Sequence, residues 1–172
     1  QNRARPIGIG AGVPNNKTAM TVNMLCGSGL RTVAMAAQQI KCGDAEMIIA
    51  GGAESMTNAP FLLKKARSGY KMGHGEIIDS MIGDGLWDVF NNYHMGVTAE
   101  NLVTKYNLTR EEQDNFAADS QNKTEKAQKE NRFSDEIAPV AIPQRKGEPV
   151  MFAKDEYPKA GVTAEGLGKL RG

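Results

Sequence analysis

The chain has 172 residues, and its 21 lysines and arginines against 20 aspartates and glutamates give a net charge of +1. This balance provides no electrostatic basis for binding nucleic acid or an anionic membrane surface. No apolar run reaches the length of about 18 residues that a membrane-spanning helix needs, and residues 1–14 lack the basic and then apolar order of a signal peptide. We therefore predict a cytoplasmic protein that binds neither nucleic acid nor membrane.

The sequence contains two cysteines, Cys26 and Cys42. Two thiols form no disulfide framework, and no CxxC or histidine-rich spacing indicates a metal site. We expect both thiols to be reduced and no metal to be bound.

The first elements in chain order predict a strand, a helix and a second strand. Residues 18–25 form a β-branched apolar run typical of a strand. From Leu30 the apolar positions follow the 3.6-residue period of a helix, which Gly43 is placed to end as a left-handed cap. Residues 45–50 form a compact apolar run typical of a buried strand. Together they predict a right-handed βαβ unit around a parallel sheet, and hence an α/β fold.

Residues 57–92 are interrupted by glycines and carry scattered aromatic and methionine side chains. We interpret them as a long ordered excursion with one short helix near 76–82. Residues 93–107 predict a helix. The GIGAG sequence at residues 8–12 does not fit GxGxxG, so it does not indicate a dinucleotide site.

The C-terminal region predicts a polar helix followed by a short strand. Thr109 and Glu112 form a capping-box pattern that opens a helix running to about Glu130, with Phe116 and Ala117 as its expected anchors. Two prolines in DEIAPVAIP indicate an edge strand over residues 135–143, because proline cannot donate to a ladder. A turn follows at 145–150, and then loop with one helical turn.

Cys26 lies where the first strand meets the helix, between an apolar run and a Gly-Ser-Gly sequence. A helix N-terminus lowers the pKa of a thiol, and its amides receive an oxyanion. We expect Gly27 and Gly29 to provide the tight turn. The alternative is that Cys26 is a small buried apolar residue. Cys42 lies near a helix C-terminus, where the dipole opposes a thiolate, and is interpreted as structural.

The sequence resembles the thiolase family, and most closely its short-chain biosynthetic members, the acetyl-CoA C-acetyltransferases. The resemblance rests on VNMLCGSGL, QQIKCGDAEMIIAGGAESM and YHMGVTAEN, and it runs in register from about Ala11 to Arg171. It implies the layered thiolase fold, which has two similar halves and a loop domain inserted in the first. Residues 1–56 would be part of the N-terminal core, and 57–172 the loop domain that binds coenzyme A. The segment 60–75 would be the tetramerisation loop.

The resemblance also implies site residues. Cys26 would be the catalytic nucleophile that carries the acyl group. Leu86, His94 and Met95 would line the pantetheine and acyl end of the pocket, and Lys159 would lie near the adenine end, where relatives have arginine. Lysine binds a phosphate but does not stack as a guanidinium does. From its sequence setting alone, His94 is typical of an ordinary polar loop histidine, because no carboxylate is placed to orient it.

The implied activity is the interconversion of two acetyl-CoA with acetoacetyl-CoA and CoA through an acyl-Cys26 intermediate. CoA thioesters are then substrates, and no cofactor is implied. The chain is expected to assemble as a homodimer or homotetramer. The GHP and CxGGG motifs of the family's second half, which supply a histidine and a second cysteine, do not occur. The chain would therefore be an incomplete portion, inactive alone, with the missing half as its partner.

Two alternatives remain at the level of sequence. One is a non-catalytic CoA-binding or assembly subunit of a split or truncated thiolase-like protein, consistent with the absent motifs. The other is a condensing enzyme of the ketoacyl-synthase type. Those enzymes typically have serine or alanine after the cysteine, whereas this chain has Gly27.

Overall fold

A computed structural model of the chain describes residues 2–171. They form two compact units, the first ending at His94 and the second beginning at Met95. The predicted division into a core over residues 1–56 and an inserted loop domain over 57–172 stays a prediction.

The first unit contains two helices and two short antiparallel hairpins. The helices are α1 (Ala4–Gly10) and α2 (Ser28–Cys42). Strand β1 (Phe61–Leu62) pairs with β2 (Ile78–Asp79), and β3 (Trp87–Asp88) pairs with β4 (Tyr93–His94). A 3₁₀ turn covers Met56–Asn58, and a π-helical turn covers Ile82–Leu86.

The second unit contains three helices and one hairpin. The helices are α3 (Met95–Tyr106), α4 (Arg110–Lys129) and α5 (Ala164–Gly168). Strands β5 (Val140–Ile142) and β6 (Val150–Phe152) pair antiparallel, and α4 packs against α5.

Helix α2 confirms the helical prediction at both ends. It begins two residues after Cys26, and Gly43 caps it in the left-handed conformation with φ 81°. The Gly43 amide donates to the Ile40 carbonyl and the Asp44 amide to that of Gln39, which satisfies carbonyls that the last turn leaves unpaired.

The two strands predicted on either side of α2 are not formed. Neither 18–25 nor 45–50 belongs to a sheet, and all three sheets within residues 2–171 are two-stranded and antiparallel. A strand exists only through a ladder of backbone hydrogen bonds, and these segments have no ladder partner in the described part of the chain. The predicted parallel βαβ pairing is therefore wrong for this chain as it stands.

The helix predicted near 76–82 is displaced toward the C-terminus. Ile78 and Asp79 are taken by the β2 pairing, and helical structure begins at Ser80 and continues as the π-turn over Ile82–Leu86. Gly83 and Gly85 lie within that turn, and glycine weakens regular α-helix. Helix α1 was not predicted from the sequence.

Helix α4 confirms its predicted extent and cap but not both of its predicted anchors. The Phe116 side chain is 79% exposed, so that anchor is wrong, whereas Ala118 is 7% exposed and is the one buried residue among those described. The helical period explains this. Ala118 shares a stripe with Asp114 and Gln121, four residues before and three after it, while Phe116 lies two residues away and faces elsewhere.

The remaining C-terminal predictions are confirmed in part. Strand β5 lies between Pro139 and Pro143 and is shorter than the predicted 135–143, and β6, which begins at Val150, was not predicted from the sequence. Helix α5 is the one predicted helical turn.

Apolar side chains of both units are widely exposed. Met47 and Ile49, in the segment predicted as a buried strand, are 85% and 83% exposed. No helix within residues 2–171 is long and apolar enough to cross a membrane.

Candidate active site

Cys26 lies in a sharp turn that leads directly into α2. The turn is made at Leu25, which has a left-handed φ of 48°. Two backbone bonds close it: the Gly27 amide donates to the Met24 carbonyl and the Ser28 amide to the Leu25 carbonyl, both at 3.0 Å. The backbone therefore loops around Cys26 and returns as a helix.

The Ser28 hydroxyl holds the two sides of this turn together. It accepts from the Met24 amide at 2.8 Å and donates to the Leu25 carbonyl at 2.7 Å. A single side chain thus fixes the backbone on the N-terminal side of Cys26 to the first residue of α2.

Neither Gly27 nor Gly29 supplies the positive φ of this turn. Gly27 has φ −85°, and Gly29 is inside α2. A Cβ on Gly27 would lie 2.6 Å from the Met24 terminal methyl, and one on Gly52 would lie 3.6 Å from the Gly29 Cα. Of the two glycines expected to provide the tight turn, Gly27 closes it through its amide bond to Met24, whereas Leu25 supplies the left-handed residue and Gly29 lies beyond the turn.

The end of the 45–52 segment is held against the start of α2. The Thr32 hydroxyl donates to the Gly29 carbonyl at 2.7 Å and to the Gly51 carbonyl at 3.3 Å. This contact brings the Gly51-Gly52 segment beside the helix end that follows Cys26.

Cys26 is exposed. The buried gap-filling alternative is therefore not what the structure shows. In the first turn of α2, the Arg31 amide is paired with the Gly27 carbonyl, while no hydrogen bond from the Gly29 or Leu30 amide is found within residues 2–171. Unpaired amides of this kind stabilise negative charge. Cys42, at the other end of α2, is also exposed.

Leu86 and His94 lie at neighbouring positions on one hairpin. Leu86 ends the π-turn and is half-buried, and His94 is exposed in β4, opposite Trp87. Met95 follows His94 as the first residue of α3. Leu86 therefore lies one residue before Trp87, the strand partner of His94.

The turn of this hairpin is fixed by Asp88 and Asn92. The Asp88 carboxylate accepts from the Asn91 side chain and from the backbone amides of Phe90 and Asn91. These bonds, that of the Asn91 side chain foremost, lower the pKa of Asp88. Asn92, with φ 60°, accepts from the Trp87 indole at 3.2 Å. The rung that carries His94 is therefore rigidly defined.

Lys159 lies in an exposed loop of the second unit that is held by α4. The Lys159 amide donates to Gln121 Oε1 and the Gly161 amide to Glu125 Oε2, both at 2.9 Å. Glu125 also binds Lys129, and this bond, followed by the one from Gly161, lowers the pKa of Glu125.

The same side of α4 holds the following helix. Arg110 Nη2 donates to the carbonyls of Leu167 at 2.8 Å and Leu170 at 3.1 Å, while its Nε donates to Asp114 at 2.9 Å. These contacts were not predicted from the sequence, where α4 was expected only as a polar helix. The spacing of the α4 residues along one face of the helix was the sequence feature that could have indicated a shared binding surface.

The five predicted site residues fall in both units. Cys26, Leu86 and His94 lie in the first, and Met95 and Lys159 in the second. The exposed His74 stands apart as an ordinary loop residue. Among residues 2–171 no cluster of three or more histidine, cysteine, aspartate or glutamate side chains is arranged to hold a metal ion.

Comparison with solved structures defines the class of the fold. Acetyl-CoA acetyltransferase from Bacillus anthracis matches 99% of this chain with a TM-score of 0.89 and 40% identity, over 43% of its own length. The enzyme of the same description from Syntrophomonas wolfei has a TM-score of 0.89 and 39% identity. The chain therefore has the α/β architecture of part of a thiolase-type subunit, and the predicted fold class is confirmed.

Sequence comparison identifies the family. The sequence model for the thiolase N-terminal domain matches residues 1–172. Acetyl-CoA acetyltransferase from Pseudomonas aeruginosa is 58% identical over 171 residues, and that from Cupriavidus necator is 53% identical. A probable acetyl-CoA acyltransferase from Staphylococcus aureus is 50% identical. The chain belongs to the thiolase family, and it spans 44% of the length of each of these relatives.

Proposed function

We propose that this chain supplies the acyl-accepting part of an acetyl-CoA C-acetyltransferase, which interconverts two acetyl-CoA with acetoacetyl-CoA and CoA. The observation that carries the proposal is the exposed Cys26 in a turn braced by Ser28 at the start of α2. Relatives named acetyl-CoA acetyltransferase, up to 58% identical to this chain, support the substrate class.

The proposed first step is acyl transfer to Cys26. Its thiolate attacks the thioester carbonyl of acetyl-CoA, a C–S bond to Cys26 forms, and the C–S bond to CoA breaks. CoA leaves as a thiolate that takes up a proton. The unpaired amides at the start of α2 favour negative charge beside the reacting thiol.

The binding roles proposed for the remaining site residues rest on the resemblance to the family. Leu86, His94 and Met95 would line the acyl and pantetheine end of the pocket. His94 pairs with Trp87, the residue after Leu86, and Met95 follows His94 directly. Lys159 presents an exposed ammonium, which suits a phosphate of CoA. CoA thioesters would be substrates, with no separate cofactor.

We extend the proposal to a cytoplasmic homodimer or homotetramer. The support is the segment 60–75, in which Phe61, Leu63 and Met72 are all exposed. Exposed apolar side chains grouped in one segment are typical of an interaction surface. Its partner there would be a second copy of the chain.

The test is thiolysis of acetoacetyl-CoA by the protein as it is naturally expressed, for wild type, Cys26→Ala and Cys42→Ala. We expect the Cys26 variant to lose activity by at least about 10³-fold, since covalent catalysis is abolished. Cys42→Ala is the matched control, since Cys42 is exposed at the opposite end of the same helix, and it should retain activity. Intact mass after incubation with acetyl-CoA should show an acetyl group on wild type and on Cys42→Ala, and none on Cys26→Ala.

Residues 1–172 expressed alone should show no turnover. Activity that survives in Cys26→Ala would contradict the proposal. CoA binding without turnover by the natural protein would instead favour a non-catalytic CoA-binding or assembly subunit.

A further inference from the structure

A stripe of four polar residues on α4 holds the main chain of the loop and helix that follow β6. The polar stripe consists of Arg110, Asp114, Gln121 and Glu125. Three of its members bond main-chain groups between residues 159 and 170, and Asp114 holds Arg110. Residues three, four or seven apart lie on one face of a helix. The stripe is therefore one continuous surface that hydrogen-bonds to the backbone of residues 159–170.

Two of these bonds fall on the turn that carries Lys159. Gln121 accepts from the amide of Lys159 itself, and Glu125 accepts from the amide of Gly161 two residues on. Gly161 has φ 69°, so the turn is one that glycine adopts readily. The backbone under Lys159 is thereby fixed on both sides of Ala160.

The Lys159 side chain itself is not engaged. It is exposed, and it takes part in none of the salt bridges found among residues 2–171. A lysine side chain has a flexible four-carbon stem, and ordering it on a ligand already costs entropy. If the backbone at the lysine is mobile too, that cost is larger and the affinity for the ligand is lower. At Lys159 the backbone is fixed by hydrogen bonds while the ammonium remains available, which suits binding of an anionic ligand.

We propose that Gln121 and Glu125 are positioning residues, which hold the backbone at Lys159 so that its ammonium meets a phosphate of the nucleotide end of a CoA thioester. This inference rests on the proposed function, and it adds two residues of α4 that would not touch the substrate.

The charge of Glu125 does not itself favour a phosphate. Its side chain is 20% exposed and is paired with Lys129, and its lowered pKa keeps it ionised near neutral pH. A carboxylate close to the loop repels an anion. Its contribution must therefore come from the hydrogen bond to Gly161, and Glu125→Gln, which keeps an acceptor oxygen and removes the charge, should preserve it.

The test compares two substrates in the natural protein. One is acetoacetyl-CoA, and the other is the acetoacetyl thioester of pantetheine, which has no nucleotide phosphate. We expect Gln121→Ala and Glu125→Ala each to raise KM for the CoA thioester about 3- to 10-fold, the effect of one hydrogen bond of ordinary net strength. The KM for the pantetheine thioester and both kcat values should stay within about twofold of wild type.

Matched controls come from the same helix. Asn122→Ala removes an exposed amide beside Gln121. Asp119→Ala removes an ion pair with Lys123 that corresponds to the Glu125–Lys129 pair, four residues apart in each case. Neither control side chain bonds the Lys159 loop in the described structure, and both variants should keep wild-type KM values, as should Glu125→Gln.

Two further observations make the test decisive. Lys159→Ala should raise KM for the CoA thioester, and adding Glu125→Ala to it should cause no further rise.

A variant that folds poorly lowers the active fraction and hence apparent kcat, but not KM, so KM remains interpretable. An equal rise for both thioesters, or unchanged KM in both alanine variants, would overturn the inference alone. Absence of turnover by wild type would overturn the proposed function and the inference with it.

Discussion

Leu25 carries the most unusual backbone conformation next to the candidate nucleophile. The other non-glycine residues with positive φ within residues 2–171 are asparagines, which tolerate the left-handed region, whereas leucine does not. Because Ser28 and the amide bonds of Gly27 close the turn on both sides, the strain at Leu25 is held by its surroundings. Such strain beside a reactive group is a common feature of active sites.

We predict that Leu25→Gly raises the free energy of unfolding by about 1 kcal/mol, because glycine adopts φ 48° without a Cβ clash. Urea unfolding of the natural protein measures this. The control is Ala37→Gly in the middle of α2, where the same new residue should cost about 1 kcal/mol. A loss of stability in both variants would show that Leu25 is not strained.

The conformation of single residues could be predicted from the sequence where neighbouring residues determine it. The Cys26 turn at the start of α2 could be predicted, because a Gly-Ser-Gly sequence and a helical period adjoin it. The left-handed Leu25 could not, because leucine has no preference for that region and the bonds of Ser28 and Gly27 impose it. Gln121 and Glu125 were missed because their partners lie 38 and 36 residues away.

At the scale of elements, helices were predicted better than strands. The period of α2 and the capping box of α4 are encoded within one stretch of chain. The segments 18–25 and 45–50 have strand-like composition, but a strand also needs a neighbour, and none is found in the described part of the chain. Their sequence fixes the pattern of apolar residues and leaves the pairing to other segments.

The capping box of α4 gives a pH prediction. The Thr109 backbone amide and hydroxyl bind the Glu112 carboxylate and lower the pKa of Glu112. A carboxyl group whose pKa is lower in the folded state stabilises the fold above its unfolded pKa, about 4.3. That contribution is lost as the pH falls through the lower folded pKa.

The measurement is the urea midpoint between pH 7 and pH 3 for wild type and Glu112→Gln. Glutamine keeps the capping box and does not titrate. The two proteins should therefore converge in stability as the pH falls below about 4.3, with wild type the more stable at pH 7. Parallel curves across the whole range would contradict the assignment to Glu112, because the other carboxylates titrate equally in both proteins.

At the scale of the whole molecule, many apolar side chains are exposed and very few residues are buried. Ala118 is the one buried residue among those described, while apolar side chains of α2 and of residues 45–50 are largely exposed. Soluble monomeric proteins rarely expose large apolar patches. The relatives from Pseudomonas aeruginosa and Bacillus anthracis share this fold over less than half of their length, so much polypeptide in them has no counterpart in this chain.

We therefore expect the segment 45–50 to be covered by further polypeptide in the protein as it is naturally expressed. If Ile49 stays 83% exposed, Ile49→Asp should change stability by no more than about 0.5 kcal/mol. If it is covered, a buried charge replaces a packed side chain, and the loss should exceed about 3 kcal/mol. Urea unfolding of the natural protein separates these outcomes, with Gln38→Asp on the exposed side of α2 as the control for an added charge. A loss below about 0.5 kcal/mol in both variants would mean that the apolar surface of residues 45–50 faces solvent.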